Sequence, residues 1–289
     1  MPIRLGFPGR GRGSLGGGGR SFLNPRLILG LLVAAGSLIA YWSNREFNPV
    51  TQEMQHIGIS HEQEVALGLQ AAPEMAAQFG GLHSDPKATA MVKQVGERVV
   101  SQSDARESPY EWDFHLLADA ETINAFALPG GQIFITAGLL GRLETEGQLA
   151  GVLGHEVGHV VGRHGAEHMA KQQLTQGLTG AAVLATYDPQ DPSTQNTAAV
   201  AQMVAGLVTM KYGRDDELES DRLGVRFVAE AGYDPNAMIG VMRILAEAGG
   251  ERSQPEFFST HPNPENRVAQ IETAIAEQFP NGLPGGLTP

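Results

Sequence analysis

Residues 145–170 read TEGQLAGVLGHEVGHVVGRHGAEHMA, a stretch rich in apolar residues and glycine that contains no proline. This composition predicts a helix, and Thr145 followed by Gln148 predicts a capping box at its start. On such a helix, His155 and His159 are four residues apart and project from the same face. Two neutral imidazoles on one face suit a zinc ion, which accepts nitrogen and oxygen ligands in a tetrahedral arrangement.

Glu156 completes an H-E-x-x-H motif with these two histidines. The motif is that of metalloproteases in which the glutamate is the general base toward a zinc-bound water. The alternative, a salt-bridged surface helix, fits poorly because the neighbouring positions are apolar or small: Leu153, Gly154, Val157, Gly158, Val160, Val161 and Gly162. Histidine and glutamate side chains in such surroundings require partners, because burying them unpaired is costly. We therefore expect a metal site here.

Two further histidines, His164 and His168, follow the motif. On one continuous helix, His164 would point about 180° away from His155 and could not bind the same ion. We therefore expect structural or surface roles for both of these histidines.

A catalytic zinc takes a third protein ligand and keeps one position open for water. The best candidates lie in a second helical stretch, which contains DELESD at residues 216–221. Glu217 and Asp221 share a face, so one carboxylate can bind zinc while the other accepts a hydrogen bond from a ligating histidine. Spacing alone does not separate Glu217 from Glu219, for which a solvent-facing role is the alternative.

Four motifs, in order along the chain, resemble one metallopeptidase family. They are NAFALPGG at 124–131, HExxH at 155–159 followed by Arg163-His164, Glu217-x-x-x-Asp221 ahead of an AGYDP turn at 231–235, and His261-Pro262-x-x-x-x-Arg267. The family has similar versions of all four motifs, and its members are metallopeptidases of the HExxH gluzincin type. It holds the CAAX prenyl endopeptidases, the membrane protease HtpX and the BepA-like periplasmic protease-chaperones. The motifs extend over about half of the chain.

The resemblance implies a fold and a set of site residues. The fold would be α+β, mainly helical and zincin-like, with a small β-sheet or hairpin beside the HExxH helix. Glu217 would be the third ligand of one zinc ion per chain, and Asp221 would be the hydrogen-bond partner of a ligand. His261 and Arg267 would lie near the active site and stabilise the oxyanion; alternatively, His261 would occupy the open position on the zinc.

The segment 124–136 predicts a hairpin, because a short strand and a Pro-Gly-Gly turn precede the second strand QIFIT at 132–136. An exposed edge strand there could bind a substrate peptide by adding it to the sheet. We expect Asn124, Ala125 and Phe126 to lie beside the cleft. The alternative is an ordinary structural hairpin.

Composition restricts the possible partners. The 289 residues are 42% apolar, which supports one or two domains with a real core. The formal net charge of −12 argues against nucleic acid as a partner. The chain has no cysteine, which excludes disulfides, thiolate zinc ligands and lipid-modified cysteine.

The N-terminal region predicts membrane attachment. Residues 1–26 contain five arginines and no acidic residue, and predict a basic, disordered leader. Residues 27–43 are apolar and uncharged and predict a signal anchor, with the arginines on the cytoplasmic side. A cleaved signal peptide is the alternative, although no A-x-A site follows. In both cases the catalytic part would lie outside the cytoplasm, either anchored on the periplasmic side of the inner membrane or secreted to the periplasm.

The remaining organisation is coarser. We predict a linker at 44–59, a zinc metallopeptidase domain at 60–280 and a flexible tail at 281–289. Within the domain, the caps and periodicity predict helices near 61–80, 86–103, 236–248 and 265–278 and a strand at 112–118. Two apolar stretches, 173–187 and 197–211, predict core helices or a membrane-facing lid, and the polar loop between them, 188–197, predicts a gate over the cleft.

These observations favour a membrane-anchored zinc endopeptidase. Its substrates would be unfolded, misfolded or mis-assembled envelope proteins, an expectation that rests on family analogy. Three alternatives are open: another zinc hydrolase such as an aminopeptidase, a zinc-gated chaperone or assembly factor with little proteolysis, and a structural membrane protein that holds metal without turnover. No particular oligomeric state is predicted.

Overall fold

The computed structural model describes residues 25–186, 213–249, 255–262 and 266–289. The helices of this part of the chain are α1 (Pro25–Ser43), α2 (His61–Gln78), α3 (Pro86–Ser101), α4 (Ala137–Leu140), α5 (Glu146–Val161), α6 (His164–Thr186), α7 (Arg214–Glu230), α8 (Ala237–Ala248), α9 (Phe257–Thr260) and α10 (Arg267–Gln278). The strands are β1 (Arg45–Asn48), β2 (Glu53–His56), β3 (Asp113–Leu117), β4 (Ala125–Leu128) and β5 (Gln132–Thr136). The mainly helical α+β fold agrees with the prediction.

Some predicted segments lie outside the described residues. They are most of the basic leader, the polar loop at 188–197 and the second apolar stretch at 197–211.

Local capping signals place α2 and α3 where the sequence predicts them. Ser60 and Gln63 form a complete capping box at the start of α2. The side chain of Asp85 accepts a hydrogen bond from the backbone N–H of Lys87 at the start of α3. At α5 the predicted box forms only in part. The Thr145 side chain caps the helix, but Gln148 Oε1 accepts its hydrogen bond from the backbone N–H of Glu144.

A small sheet supports the metal-motif helix. Strand β4 runs antiparallel to β5, which confirms the predicted hairpin, while β3 runs parallel to β5, so that the strand order is β3-β5-β4. The turn between β4 and β5 contains Gly130 at φ +83°, a conformation that favours glycine. A Cβ at Gly130 would also collide with the backbone of Val65, so the turn sits directly on α2.

Helix α5 forms the centre of the core, and every residue from Gly147 to Val161 is buried. The backbones of α5 and α7 come close together where the two helices cross, because glycine residues of α5 lie at the contact. A Cβ on Gly154 would lie 2.7 Å from a methyl group of Val228, and one on Gly158 would lie 2.9 Å from the carbonyl oxygen of Ser220. The absence of side chains at these positions lets the two backbones approach, which brings the polar residues of α5 and α7 together.

The predicted continuous helix over 145–170 is wrong in one respect, because it breaks after Val161. Arg163 has a left-handed backbone with φ +54°, which ends α5 and redirects the chain into α6. Ion pairs hold this strained residue: its guanidinium lies 2.7 Å from Glu64 and 2.7 Å from Glu46. The helical-wheel estimate for the direction of His164 therefore does not apply, since His164 belongs to α6.

Residues 44–59, predicted as a linker, contain the antiparallel hairpin β1–β2. The hairpin covers the C-terminal end of α5, where backbone carbonyls have no partner within the helix. Asn48 donates a hydrogen bond to the carbonyl of Val161 (2.7 Å), and Gln55 donates one to the carbonyl of Gly162. The segment is thus part of the folded unit.

The tail at 281–289, predicted to be flexible, also makes contacts with the folded unit. Thr288 exchanges backbone hydrogen bonds with the loop after α7, donating to Gly232 (2.9 Å) and accepting from Asp234 (2.8 Å). The carbonyl of Pro289 accepts a hydrogen bond from the N–H of Gly147 in the first turn of α5. Free backbone N–H groups at a helix start explain this attachment.

The apolar helix α1 packs along the second half of α6. Gly30 is buried there, and a Cβ on it would lie 2.7 Å from the carbonyl of Ala181. Among the described residues, α1 is the one helix that is long and apolar enough to cross a membrane. Its outward face is apolar and exposed: Leu27, Ile28, Leu29, Leu31, Leu32, Leu38, Ile39 and Trp42.

Candidate metal centre

Helix α5 supplies two imidazoles to a buried cluster. His155 and His159 lie one turn apart, and their Nε2 atoms are 3.1 Å from each other. Both histidines are at most 3% exposed, and Glu156 between them is completely buried. The helical spacing of the motif therefore places all three polar side chains away from solvent.

Helix α7 crosses α5 at this level and brings Glu217 to the two imidazoles. Glu217 Oε2 lies 3.5 Å from His155 Nε2, and Oε1 lies 3.4 Å from His159 Nε2. Asp221, one turn later, lies on the other side of His155, with its Oδ1 2.9 Å from His155 Nδ1. The tertiary structure thus separates the two carboxylates: Glu217 faces the cluster, and Asp221 faces the rear of a ligand candidate.

His261 is the fourth member of the cluster and follows the short helix α9. Its Nδ1 lies 3.0 Å from Glu217 Oε1 and 3.4 Å from His155 Nε2. One ligand atom from each of His155, His159, Glu217 and His261 can be chosen so that all lie within 4.8 Å of one another. Imidazole nitrogens and a carboxylate oxygen at this separation are a donor set that can hold a metal ion.

The electrostatics of the cluster suit the binding of a cation. Burial raises the pKa of Glu156, and neither of its oxygens has a hydrogen-bond partner among the described residues. Burial also acts to raise the pKa of Glu217, but hydrogen bonds with the surrounding histidines lower it far below its usual range. A buried carboxylate without a hydrogen bond is costly, and a cation with bound water would satisfy both carboxylates.

The pKa values of the two imidazoles of α5 shift in opposite directions. Burial lowers the pKa of His159 well below its ordinary value, which keeps that ring neutral and able to bind metal. Burial and the Arg267 charge also lower the pKa of His155, but hydrogen bonds with Asp221 and Glu217 outweigh them and raise it to about 9. A metal ion bound at Nε2 would displace the proton there, as metal binding to histidine generally does.

Arg267, the first residue of α10, is buried behind the cluster. It makes a two-pronged contact with Asp221, with Nε 2.8 Å from Oδ2 and an Nη atom 2.9 Å from Oδ1. Its other Nη lies 3.1 Å from Glu217 Oε2, an ion pair whose geometry does not make a hydrogen bond. Arg267 therefore contacts the carboxylates that surround His155.

The other two histidines of the motif region lie outside this four-residue set. His164 is completely buried, and its Nδ1 lies 2.9 Å from His159 Nδ1. His168 lies 2.7 Å from Asp216. The contact between His164 and His159 was not predicted, because it depends on the break at Arg163.

Strand β4 lies at the side of the cluster. Asn124, just before it, is buried, and its Oδ1 has no hydrogen-bond partner among the described residues. Ala125 is fully buried, and the ring of Phe126 stacks on Phe134 at 4.9 Å between centroids. A cleft between β4 and the end of α5 is lined by Ala127, Leu128, Pro129, His159 and Val160. Phe126 therefore packs within the sheet, and it is the second half of β4 that lines the cleft.

Comparison with known proteins identifies the family. The model of peptidase family M48 matches residues 86–275. The chain is 31% identical over 253 residues to the mitochondrial metalloendopeptidase OMA1 of Schizosaccharomyces pombe, covering 86% of this chain and 72% of the relative. It is 32% identical over 205 residues to the beta-barrel assembly-enhancing protease of Escherichia coli K12, covering 69% of this chain and 41% of the relative. It is 35% identical over 206 residues to the metalloendopeptidase OMA1 of Danio rerio, covering 67% and 42%.

The matched region spans less than half of the length of the last two relatives. The family model, however, covers well over half of this chain and includes His155, His159, Glu217 and His261. The chain therefore belongs to peptidase family M48 and is a metallopeptidase.

Proposed function

We propose that the chain is a zinc-dependent endopeptidase whose zinc ligands are His155, His159 and Glu217. The observation that carries this proposal is the buried cluster around these residues, beside which lies the Glu156 carboxylate, 3.6 Å from His261 Nε2 and without a hydrogen bond among the described residues. Two imidazoles and one carboxylate, with a further position for water, are the ligand set of a catalytic zinc.

In this proposal the zinc, when bound, supplies a Lewis acid that polarises the peptide carbonyl and lowers the pKa of water. Glu156 takes the proton from the attacking water and returns it to the leaving amine. Burial raises the pKa of this carboxylate, which brings it closer to the neutral range in which a general base and acid works best.

Substrate would lie along β4 in an extended conformation. Backbone groups of Ala125 and Phe126 would pair with the peptide, as in recognition by addition of a strand to a sheet edge. Asn124 Oδ1, a buried acceptor without a partner among the described residues, would accept a hydrogen bond from a peptide N–H.

Asp221 and Arg267 would position His155 rather than contact substrate. Asp221 faces His155 Nδ1 at 2.9 Å, which leaves Nε2 toward the cluster. The guanidinium of Arg267 is engaged by Asp221 and lies 3.2 Å from the His155 ring nitrogens. This placement favours an orienting role over the oxyanion role expected from the resemblance.

The proposal includes location and substrate class. Helix α1 would anchor the protein in a membrane, since its exposed apolar face and its 19 residues, about 28 Å, suit the hydrocarbon layer. The arginines that precede α1 favour a cytoplasmic N-terminus, with the catalytic part on the periplasmic side of the inner membrane. The bacterial relative named for beta-barrel assembly supports misfolded or mis-assembled envelope proteins as substrates.

A zinc-gated chaperone or assembly factor is the second candidate, and His261 favours it. This imidazole is completely buried and is close enough to the other ligand atoms to be a fourth ligand. A fourth protein ligand would occupy the position that water needs, and proteolysis would then be suppressed until His261 moves.

The test combines metal analysis with casein cleavage by the full-length protein in detergent, beside Glu156→Gln and the control Glu272→Gln, which alters an exposed carboxylate on α10. We expect one zinc per chain in all three proteins and loss of cleavage only in Glu156→Gln. Zinc in all proteins with cleavage in none supports the chaperone candidate. Cleavage by Glu156→Gln near the parent rate rejects the general base, and absence of zinc from the parent rejects the metal centre.

A further inference from the structure

The two histidines of the metal motif contact different groups through Nδ1, the ring nitrogen on the side away from the cluster. His155 has a carboxylate directly at its Nδ1, since Asp221 lies at 2.9 Å. His159 has another histidine in the corresponding place, because its Nδ1 lies 2.9 Å from Nδ1 of the completely buried His164. The second nitrogen of His164 continues the chain of contacts, with Nε2 3.2 Å from Glu219 Oε2.

The direction of these hydrogen bonds follows from the chemistry of imidazole. His159 must present a lone pair at Nε2 to bind metal, so its proton is on Nδ1 and is donated to His164. His164 accepts at Nδ1, which leaves its own proton on Nε2 to be donated to Glu219. A carboxylate can only accept hydrogen bonds, so Glu219 at the end of the chain fixes the order of both tautomers.

The local sequence is built to place His164 in this position. The left-handed backbone of Arg163 ends α5 and turns the chain back, so that His164 meets His159 from outside the helix. Gly162 supplies the space for the ring, because a Cβ there would lie only 2.6 Å from His164 Nε2. On the opposite side of the His164 ring from His159, α7 supplies Glu219, two residues after Glu217.

We propose that His164 and Glu219 form a relay that positions His159 for zinc, fixing its tautomer and the orientation of its ring. The inference rests on the proposed zinc site and assigns positioning roles to two residues outside it. Helix α7 then supplies one ligand and the outer carboxylate behind each histidine: Asp221 directly for His155, and Glu219 through His164 for His159.

The experiment measures the zinc dissociation constant of the full-length protein by competition with a chelator, together with the unfolding midpoint of each variant. His164→Leu removes the acceptor, and His164→Asn places an amide oxygen near the position of Nδ1. Glu219→Gln keeps the shape of the side chain and removes its charge. His168→Leu is the matched control, since His168 pairs with Asp216 one turn farther along α6.

We expect His164→Leu to weaken zinc binding about 10- to 100-fold, the usual effect of losing the hydrogen-bond partner of a ligating histidine. His164→Asn should recover most of this loss, Glu219→Gln should show a smaller loss, and His168→Leu should bind zinc like the parent. The recovery by asparagine separates a hydrogen bond to His159 from simple filling of space.

Zinc binding by His164→Leu at the parent affinity would overturn the relay. If His164→Leu does not fold, Glu219→Gln decides, because its side chain lies partly exposed at the end of the relay, and unchanged affinity there would also overturn it. A parent that binds no zinc would instead reject the metal centre itself, so the two failures are distinguishable.

Discussion

Gly158 of α5 lies against Ser220 of α7 so closely that a Cβ on the glycine would be 2.9 Å from the serine carbonyl oxygen. This contact lies between the two helices that carry His159 and Glu217. The separation of the helices therefore determines whether their polar side chains can share one ion.

Gly158→Ala tests this relationship. The added methyl group must displace α5 or α7, which we expect to cost about 1–3 kcal/mol of stability and to weaken zinc binding. Urea unfolding and zinc competition measure the two effects. Gly180→Ala on α6 is the control, since its Cβ would meet none of the described residues; there the higher helix propensity of alanine should leave stability equal or higher. Equal zinc affinity in Gly158→Ala and the parent would contradict the prediction.

Arg267→Gln should destabilise the metal-free protein. Removing one partner of the buried Arg267–Asp221 pair leaves an uncompensated charge and should cost about 3–5 kcal/mol in the free energy of unfolding. Urea unfolding in excess chelator measures this loss, with Arg142→Gln at an exposed position as the control. Adding Asp221→Asn should recover part of the loss because the two residues are in contact. A loss below about 1 kcal/mol in the free energy of unfolding would show that the Arg267–Asp221 pair contributes little to stability.

His261→Ala distinguishes the two roles considered for this residue. If His261 occupies the position needed for water, its removal should raise the rate of casein cleavage and accelerate the loss of zinc to a chelator, because one ligand is gone. His168→Ala is the control. A fall in turnover of about 100-fold, the effect of losing an oxyanion donor, would favour transition-state stabilisation instead.

Glu64→Gln should change how stability depends on pH. Burial raises the pKa of Glu64, although Arg163 and Tyr110 oppose the shift. Below about pH 4.3, the usual pKa of a glutamate in an unfolded chain, the carboxyl is protonated in both the folded and the unfolded protein. As pH rises past that value, the carboxyl of the unfolded protein ionises first, so the parent loses stability. The free energy of unfolding of the parent relative to Glu64→Gln should therefore be higher at pH 4 than at pH 7. An exposed control, Glu74→Gln, should show no such change.

Much of the architecture could be predicted because its signals are local. Ser60 and Asp85 mark helix starts, and the Pro129-Gly130 turn marks the hairpin, since each depends on only a few neighbouring residues. The break at Arg163 could not be predicted in this way. Its left-handed backbone is held by Glu64 and Glu46, which are about 100 residues distant in sequence.

The sequence alone determined the chemistry of the candidate centre, because i,i+4 spacing on a helix places His155 and His159 on one face with Glu156 beside them. Only the tertiary structure decided which carboxylate lies where. The close crossing of α5 and α7 directs Glu217 to the cluster and Asp221 to the rear of His155. The reversal of the chain at Arg163 turns His164 back, so that it contacts Glu219 of α7. These assignments depend on the distance and angle between helices, and no spacing within a single segment contains that information.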